Sequence, residues 1–265
     1  MNSATDELLF ETDGPIARIV LNRPQARNAL TFAMYQGLID LCARVEADPA
    51  IKALIVTGAG EKAFAAGTDI AQFRNFSTAE DALAYERFMD RVMGALERLR
   101  VPIVAAIAGA CTGGGAAIAA SCDLRIATRD ARFGFPIART LGNCLSQGNL
   151  KRLSNLIGPA RVKDMMFTAR LVGGDEALAI GLVGEVVEDA GALAARADAL
   201  ARLLAGHAPL TLRATKEGLR RLQAEDEPEG ERPSDDLIRM CYTSADFREG
   251  MEAFLAKRPP DWTGR

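Results

Sequence analysis

The feature that most constrains the fold is the alternation of short apolar segments with longer amphipathic segments, from residue 8 to about residue 190. The apolar segments have the length and composition of strands, and the turn Asp13-Gly14-Pro15 separates the first two. Strands are predicted at Leu8–Glu11, Ile16–Leu21, Ala53–Thr57, Ile103–Ala108 and Leu124–Ala127. Strands that alternate with helices are typical of a layered α/β core.

The amphipathic segments carry apolar residues at helical spacing. Thr31 can cap the N-terminus of a first helix, whose apolar face holds Met34, Leu38, Leu41 and Val45. A second helix is predicted over 80–99. After residue 190 only helices are predicted, over 191–205, 209–223, 234–243 and 246–256. We therefore divide the chain into an α/β core, residues 1–190, and a C-terminal helical region, residues 191–265.

Charge, hydropathy and cysteine usage exclude several functions. The net charge of −3 and the isoelectric point near 5.4 provide no basic field for a nucleic acid. The longest apolar run, 101–110, contains Pro102 and Gly109 and is too short to span a membrane, and the acidic start is unlike a signal peptide. Five cysteines without a CxxC pair indicate reduced thiols in the cytoplasm. Because His207 is the single histidine, a metal site built on several histidines is excluded.

Two glycine-containing segments, KAFAAGTDI at 62–70 and IAGACTGGGAA at 107–117, each follow an apolar strand. Glycine has no Cβ, so a ligand can approach its backbone closely. The second segment opens into an alanine-rich helix, and the first N–H groups of a helix lack partners and favour negative charge. The glycines predict either an anion or oxyanion site or a tight contact between strand and helix. Neither segment is a GxxxxGK[ST] phosphate loop or a dinucleotide GxGxxG.

These motifs resemble those of the crotonase (enoyl-CoA hydratase/isomerase) superfamily. KAFAAGTDI is similar to its A-F-x-A-G-x-D-[IL] signature, and IAGACTGGGAAIAASCD to [IV]-x-G-x-A-x-G-G-G-x-x-[IL]-x-x-x-C-D. Further matches lie at 21–31, 131–142, 171–187 and 247–264, in the family's order. The resemblance implies a spiral of ββα units, a C-terminal helical region that assembles trimers or hexamers, and an acyl-CoA substrate. Coenzyme A is then part of the substrate, and no separate cofactor or metal is expected.

The resemblance also assigns site residues. The backbone N–H groups of Thr68 and Gly114 would form an oxyanion hole for the thioester oxygen, which stabilises an enolate-like transition state. Phe254 and Lys257 resemble residues that reach the CoA of a neighbouring subunit. The positions that would bind CoA are Gln25, Ala26, Arg27, Ala66, Gly67, Thr68, Asp69, Ile70, Gly114, Phe254 and Lys257.

The sequence departs from the family at the two glutamates with which its hydratases add water. The corresponding positions are Ala117 and Ile137, so we expect little hydration. No acid follows Ile137; instead a polar cluster offers Asn143 and Arg139 as candidate catalytic groups, together with Thr140, Cys144, Ser146 and Gln147. Hydratase or isomerase chemistry, another reaction of the family (thioester hydrolysis, decarboxylation, double-bond isomerisation), and non-catalytic acyl-CoA binding all remain open.

Overall fold

The computed structural model describes residues 6–207, 209–223, 239 and 242–260. These residues form ten strands: β1 (Leu8–Asp13), β2 (Ile16–Leu21), β3 (Ala53–Gly58), β4 (Ala63–Ala65), β5 (Ile103–Ile107), β6 (Ala110–Thr112), β7 (Leu124–Thr128), β8 (Arg132–Gly134), β9 (Val172–Gly173) and β10 (Glu185–Val187). The five strands predicted from the sequence are confirmed as β1, β2, β3, β5 and β7, whereas the short strands β4, β6, β8, β9 and β10 were not predicted. No helix among the described residues is long and apolar enough to cross a membrane.

The strands belong to two sheets. The larger sheet has the order β1-β2-β3-β5-β7-β10; β1 is antiparallel to β2, and the other neighbours are parallel. The smaller sheet has the order β4-β6-β8-β9. The chain passes from the larger to the smaller sheet at β3–β4, β5–β6 and β7–β8, and helices follow each pair. The result is a spiral of ββα units, as the resemblance implied.

The helices of the described residues are α1 (Phe32–Ala47), α2 (Ala79–Glu97), α3 (Gly114–Ser121), α4 (Ile137–Thr140), α5 (Gln147–Ile157), α6 (Pro159–Phe167), α7 (Gly174–Ala179), α8 (Ala190–Ala205), α9 (Pro209–Gln223) and α10 (Ala245–Leu255), with short 3-10 helices at Pro24–Ala26 and Ile70–Phe73. The Thr31 side chain accepts from the Met34 N–H at 3.2 Å, which confirms the predicted cap of α1. Three of the four helices predicted after residue 190 are confirmed as α8, α9 and α10. The helix predicted over 234–243 lies mainly outside the described residues.

The larger sheet is covered on both faces because its central strands are apolar on both sides. Leu54 and Val56 of β3 pack into the core that includes α1, α2 and α3. The alternate residues, Ala53 and Ile55, face Leu193 and its neighbours on α8. Helix α8 therefore packs on the α/β core, although it begins at the predicted boundary of the helical region.

Candidate functional site

The two glycine segments lie side by side in the structure. Strands β4 and β6 are parallel neighbours, so the segments that follow them emerge at the same edge of the smaller sheet. Gly67 and Gly113 have φ angles of +99° and +52°, which side chains rarely adopt. A Cβ on Gly113 would lie 3.4 Å from the Gly67 Cα, which shows how closely the two backbones approach. The glycines permit both this conformation and this contact.

Thr68 and Gly114 lie next to each other at this contact. Gly114 is the first residue of α3, so its N–H has no acceptor within the helix. Leu30 forms a parallel β-bridge with Thr68. In this bridge the Leu30 N–H donates to the Gly67 oxygen, and the Asp69 N–H donates to the Leu30 oxygen. The Thr68 N–H takes no part in this ladder. Because a Cβ on Gly114 would lie 3.3 Å from the Thr68 Oγ1, the two residues are immediate neighbours.

Buried hydroxyl groups hold Thr68 in place. Its Oγ1 is 2.8 Å from the Tyr35 Oη of α1 and 3.0 Å from the Tyr85 Oη of α2. Burial raises the pKa of both tyrosines above the usual range, so both are neutral at physiological pH. The Tyr35 hydroxyl also occupies the space that a side chain on residue 114 would take. The tyrosines therefore fix the relative position of the Thr68 and Gly114 backbones.

The loop after β2 packs against the first glycine segment. The buried side chain of Asn28 donates to the Ala59 and Ala63 oxygens at 3.0 and 2.7 Å, which fastens the loop to the turn before β4 and to β4 itself. The Ala66 N–H donates to the Arg27 oxygen at 3.0 Å. The two segments that the resemblance assigns to the CoA groove are therefore adjacent. Nothing in the local sequence singles out Asn28, because its role depends on tertiary contacts.

A cavity of about 580 Å³ lies beside the contact between the two glycine segments. The predicted site residues that line it are Ala26, Arg27, Ala66, Gly67, Thr68, Asp69, Ile70, Gly114, Asn143 and Phe254. Gln25 and Lys257 do not line it. Phe254, on α10, faces the cavity of its own chain, an arrangement that needs no second subunit.

The prediction of a catalytic role for Arg139 needs correction. Arg139 is exposed and does not line the cavity. In the short helix α4, Ile137 and Thr140 face the cavity because they are three residues apart, and this spacing places Arg139 outside it. Ala117 also lines the cavity, so both positions that the resemblance gives to glutamates present apolar side chains there.

No acid follows Ile137 in the polar cluster, but a carboxylate from a helix distant in sequence lines the same cavity. Glu86, on α2, lines the cavity and is only 4% exposed. The Tyr242 hydroxyl donates to its Oε1 at 2.7 Å, and the Asn143 amide donates to the Tyr242 oxygen at 3.1 Å. The sequence does hold a signal for Glu86: it lies three residues before Met89, on the face of α2 that is otherwise apolar.

The remaining members of the polar cluster have structural contacts. Ser146 caps α5 by accepting from the Asn149 N–H at 3.3 Å, and the Thr140 hydroxyl donates to the Pro136 oxygen at 3.0 Å. Cys144 is half-buried and lines the cavity. Among the described residues, no group of three or more histidine, cysteine or acidic side chains could hold a metal ion.

Fold and site together define a ββα-spiral protein with a cavity that adjoins the contact between the two glycine segments and is lined by Thr68 and Gly114. Comparison with known proteins identifies the family. The enoyl-CoA hydratase/isomerase family matches residues 11–265. The short-chain-enoyl-CoA hydratase of Clostridium acetobutylicum is 35% identical over 253 residues, which cover 96% of each chain.

Solved structures agree with the sequence match. An enoyl-CoA hydratase/carnithine racemase from Magnetospirillum magneticum superposes with a TM-score of 0.79 at 34% identity and covers 99% of this chain and 97% of that one. A methylmalonyl-CoA decarboxylase in complex with 2-nitronate-propionyl-CoA gives a TM-score of 0.87 at 28% identity and covers 99% and 100%. The chain belongs to the enoyl-CoA hydratase/isomerase family and has the crotonase-like fold.

Proposed function

We propose that the chain is an enzyme that transforms acyl-CoA thioesters, with the thioester oxygen held by the N–H groups of Thr68 and Gly114. The observation that carries this proposal is the contact between the two glycine segments, which makes Thr68 and Gly114 neighbours in the lining of the cavity. A pair of fixed donors stabilises the negative charge that develops on a thioester oxygen when an enolate forms.

The surroundings of the donors fit the two parts of such a substrate. The loop at 26–27 and the segment 66–70 form one flank of the cavity, where we place the CoA portion. The other flank is mainly apolar and suits an acyl chain; it includes Met89, Met93, Phe135, Ile137 and Leu145. Coenzyme A enters and leaves as part of the substrate.

Ala117 and Ile137 argue against hydration by two carboxylates, because neither side chain can transfer a proton. We therefore favour a reaction that starts from a stabilised enolate, with double-bond isomerisation first. Decarboxylation is the second candidate, supported by the close superposition on a decarboxylase and by the apolar acyl flank. In that reaction, loss of CO₂ itself generates the enolate.

The experiment is incubation of the protein with a panel of acyl-CoA and enoyl-CoA thioesters, followed by mass spectrometry and chromatography. We expect binding of the thioesters and a product of unchanged mass from an enoyl-CoA, or loss of CO₂ from a carboxyacyl-CoA. A gain of water or release of free CoA would point to hydration or hydrolysis instead. A folded protein that neither binds nor changes any member of the panel would refute the proposal.

A further inference from the structure

The side chain of Glu86 is unusual because an acidic residue occupies the apolar face of α2. Its neighbours on that face, Leu83 and Met89, are buried in the core. Burial of a carboxylate is unfavourable unless hydrogen bonds compensate for the lost hydration. An apolar side chain of similar size would avoid this cost, so the position suggests a use for the carboxylate. That use must concern the cavity, which Glu86 lines.

A directed hydrogen-bond chain orients the carboxylate. The Tyr242 hydroxyl has one proton, which it donates to Glu86, so its oxygen accepts from the Asn143 amide. This direction fixes the orientation of the amide and leaves the Asn143 Oδ1 buried without a hydrogen-bond partner in the described structure. Tyr242 therefore holds the Glu86 Oε1 as a hydrogen-bond acceptor.

The carboxylate and the backbone donors flank the same space. Tyr85, next to Glu86 in sequence, reaches the Thr68 hydroxyl, and its ring centroid is 6.2 Å from that of Tyr242. The charge on Glu86 also contributes to the raised pKa of Tyr85 and Tyr242, as their proximity requires. Because Thr68, Gly114 and Glu86 line the same cavity, we place the acyl carbons of a thioester whose oxygen meets the Thr68 N–H on the side of Glu86.

From this geometry, and on the basis of the proposed function, we infer that Glu86 is the catalytic carboxylate, and that Tyr242 and Asn143 position it. An oxygen of Glu86 takes a proton from the α-carbon of the thioester. The C–H electron pair moves into a C=C bond, and the carbonyl π pair moves onto the oxygen held by the backbone donors. Return of the proton to the α-carbon regenerates the substrate. With a β,γ-unsaturated chain, return to the γ-carbon gives the α,β-isomer, with no co-reactant.

The experiment measures deuterium at the α-carbon of butyryl-, hexanoyl- and octanoyl-CoA after incubation in D₂O, for the parent protein and for Glu86→Gln. Glutamine keeps the shape of the side chain and can still accept from Tyr242, so the variant should fold. We expect exchange to fall by about 100-fold or more, since a general base commonly contributes 10²–10⁴-fold. Glu80→Gln, an exposed position on the same helix, is the matched control and should exchange at the parent rate.

Thioester binding and melting temperature, measured on the same samples, separate the outcomes. Normal binding with lost exchange in Glu86→Gln supports the inference. Parent-level exchange in Glu86→Gln, or a parent protein that binds all three thioesters without exchange, overturns it and leaves the proposed function standing. Failure of the parent protein to bind any thioester would instead contradict the proposed function.

The positioning role of Tyr242 is tested with Tyr242→Phe through the pH dependence of exchange. Loss of the donor hydroxyl disfavours the ionised carboxylate, so the rise in rate with pH should move to higher pH. Besides Tyr242, burial and the charge on Glu86 raise the pKa of Tyr35 and Tyr85, and Arg27, Asp69 and Cys144 are the other titratable groups lining the cavity. A profile that keeps its position in Tyr242→Phe would contradict the role, whatever the change in maximal rate.

Discussion

Replacement of Gly114 by proline tests the backbone donor at the start of α3. Proline has no N–H, so it removes one of the two groups that we assign to the thioester oxygen. At the first position of a helix, that N–H makes no helical hydrogen bond, and proline is well tolerated there. The substitution therefore removes the donor without breaking α3.

The surroundings of Gly114 call for a second substitution. Any Cβ at residue 114 would overlap the Tyr35 hydroxyl oxygen, whereas the Tyr35 Cζ would be 3.2 Å away. Tyr35→Phe removes the overlapping atom and one hydrogen bond to Thr68, which keeps its bond to Tyr85. We expect this background change to cost about 1 kcal/mol of stability. Gly114→Ala in the same background retains the N–H and, like proline, adds a Cβ at residue 114, so it is the matched control.

The loss of one oxyanion donor is worth about 2.7–4 kcal/mol in the transition state, or roughly 100- to 1000-fold in rate. We therefore expect Gly114→Pro to be about 100- to 1000-fold slower than Gly114→Ala, both in the Tyr35→Phe background, with the α-deuterium exchange of hexanoyl-CoA as the assay. Melting temperatures should be similar. Equal rates in the proline and alanine variants would refute the assignment of the Gly114 N–H.

Three further predictions follow from the remaining features. Crotonyl-CoA hydration should be negligible because Ala117 and Ile137 cannot transfer protons; robust hydration in a spectrophotometric assay would contradict this. The resemblance to the family implies a trimer or hexamer, and we expect Leu203 of α8 and Leu219 of α9, each 55% exposed, to be covered on assembly; light scattering that gives a monomer would contradict this. Hydrogen bonds from two backbone N–H groups at the start of α2 lower the pKa of Asp81, so its contribution to stability is present above the ordinary aspartate range and is lost as the pH falls. The melting temperature of Asp81→Asn should therefore be below that of the parent at pH 7 and approach it near pH 3.

The parts of the fold that the sequence predicts are those with strong local signals. The cap at Thr31 and the helical spacing that follows it predict α1, and apolar runs predict five of the six strands of the larger sheet. Strands β4, β6, β8, β9 and β10 were not predicted because each has only two or three residues, too few for a periodic pattern. Their pairing depends on the ββα spiral, which local sequence does not encode.

The same limit applies to the site. Each glycine segment is one continuous stretch of sequence, so both its motif and the chemistry of its backbone can be recognised from the sequence. Glu86, Asn143 and Tyr242 lie on separate parts of the chain, and only the fold brings them to one cavity. Arg139 is close in sequence to Ile137, one of the positions where hydratases have a glutamate, whereas Glu86 is distant from both positions. The one local signal for Glu86 is an acidic residue within an apolar helix face.

The most direct test of the central claim is a crystal structure with a bound acyl-CoA analogue whose thioester carbonyl is intact. The quantity to measure is the distance from the carbonyl oxygen to the nitrogens of Thr68 and Gly114. We predict that both distances are about 2.7–3.1 Å, with the acyl chain extending past Glu86. A thioester oxygen that contacts neither nitrogen, in a molecule bound in this cavity or elsewhere, would contradict the account.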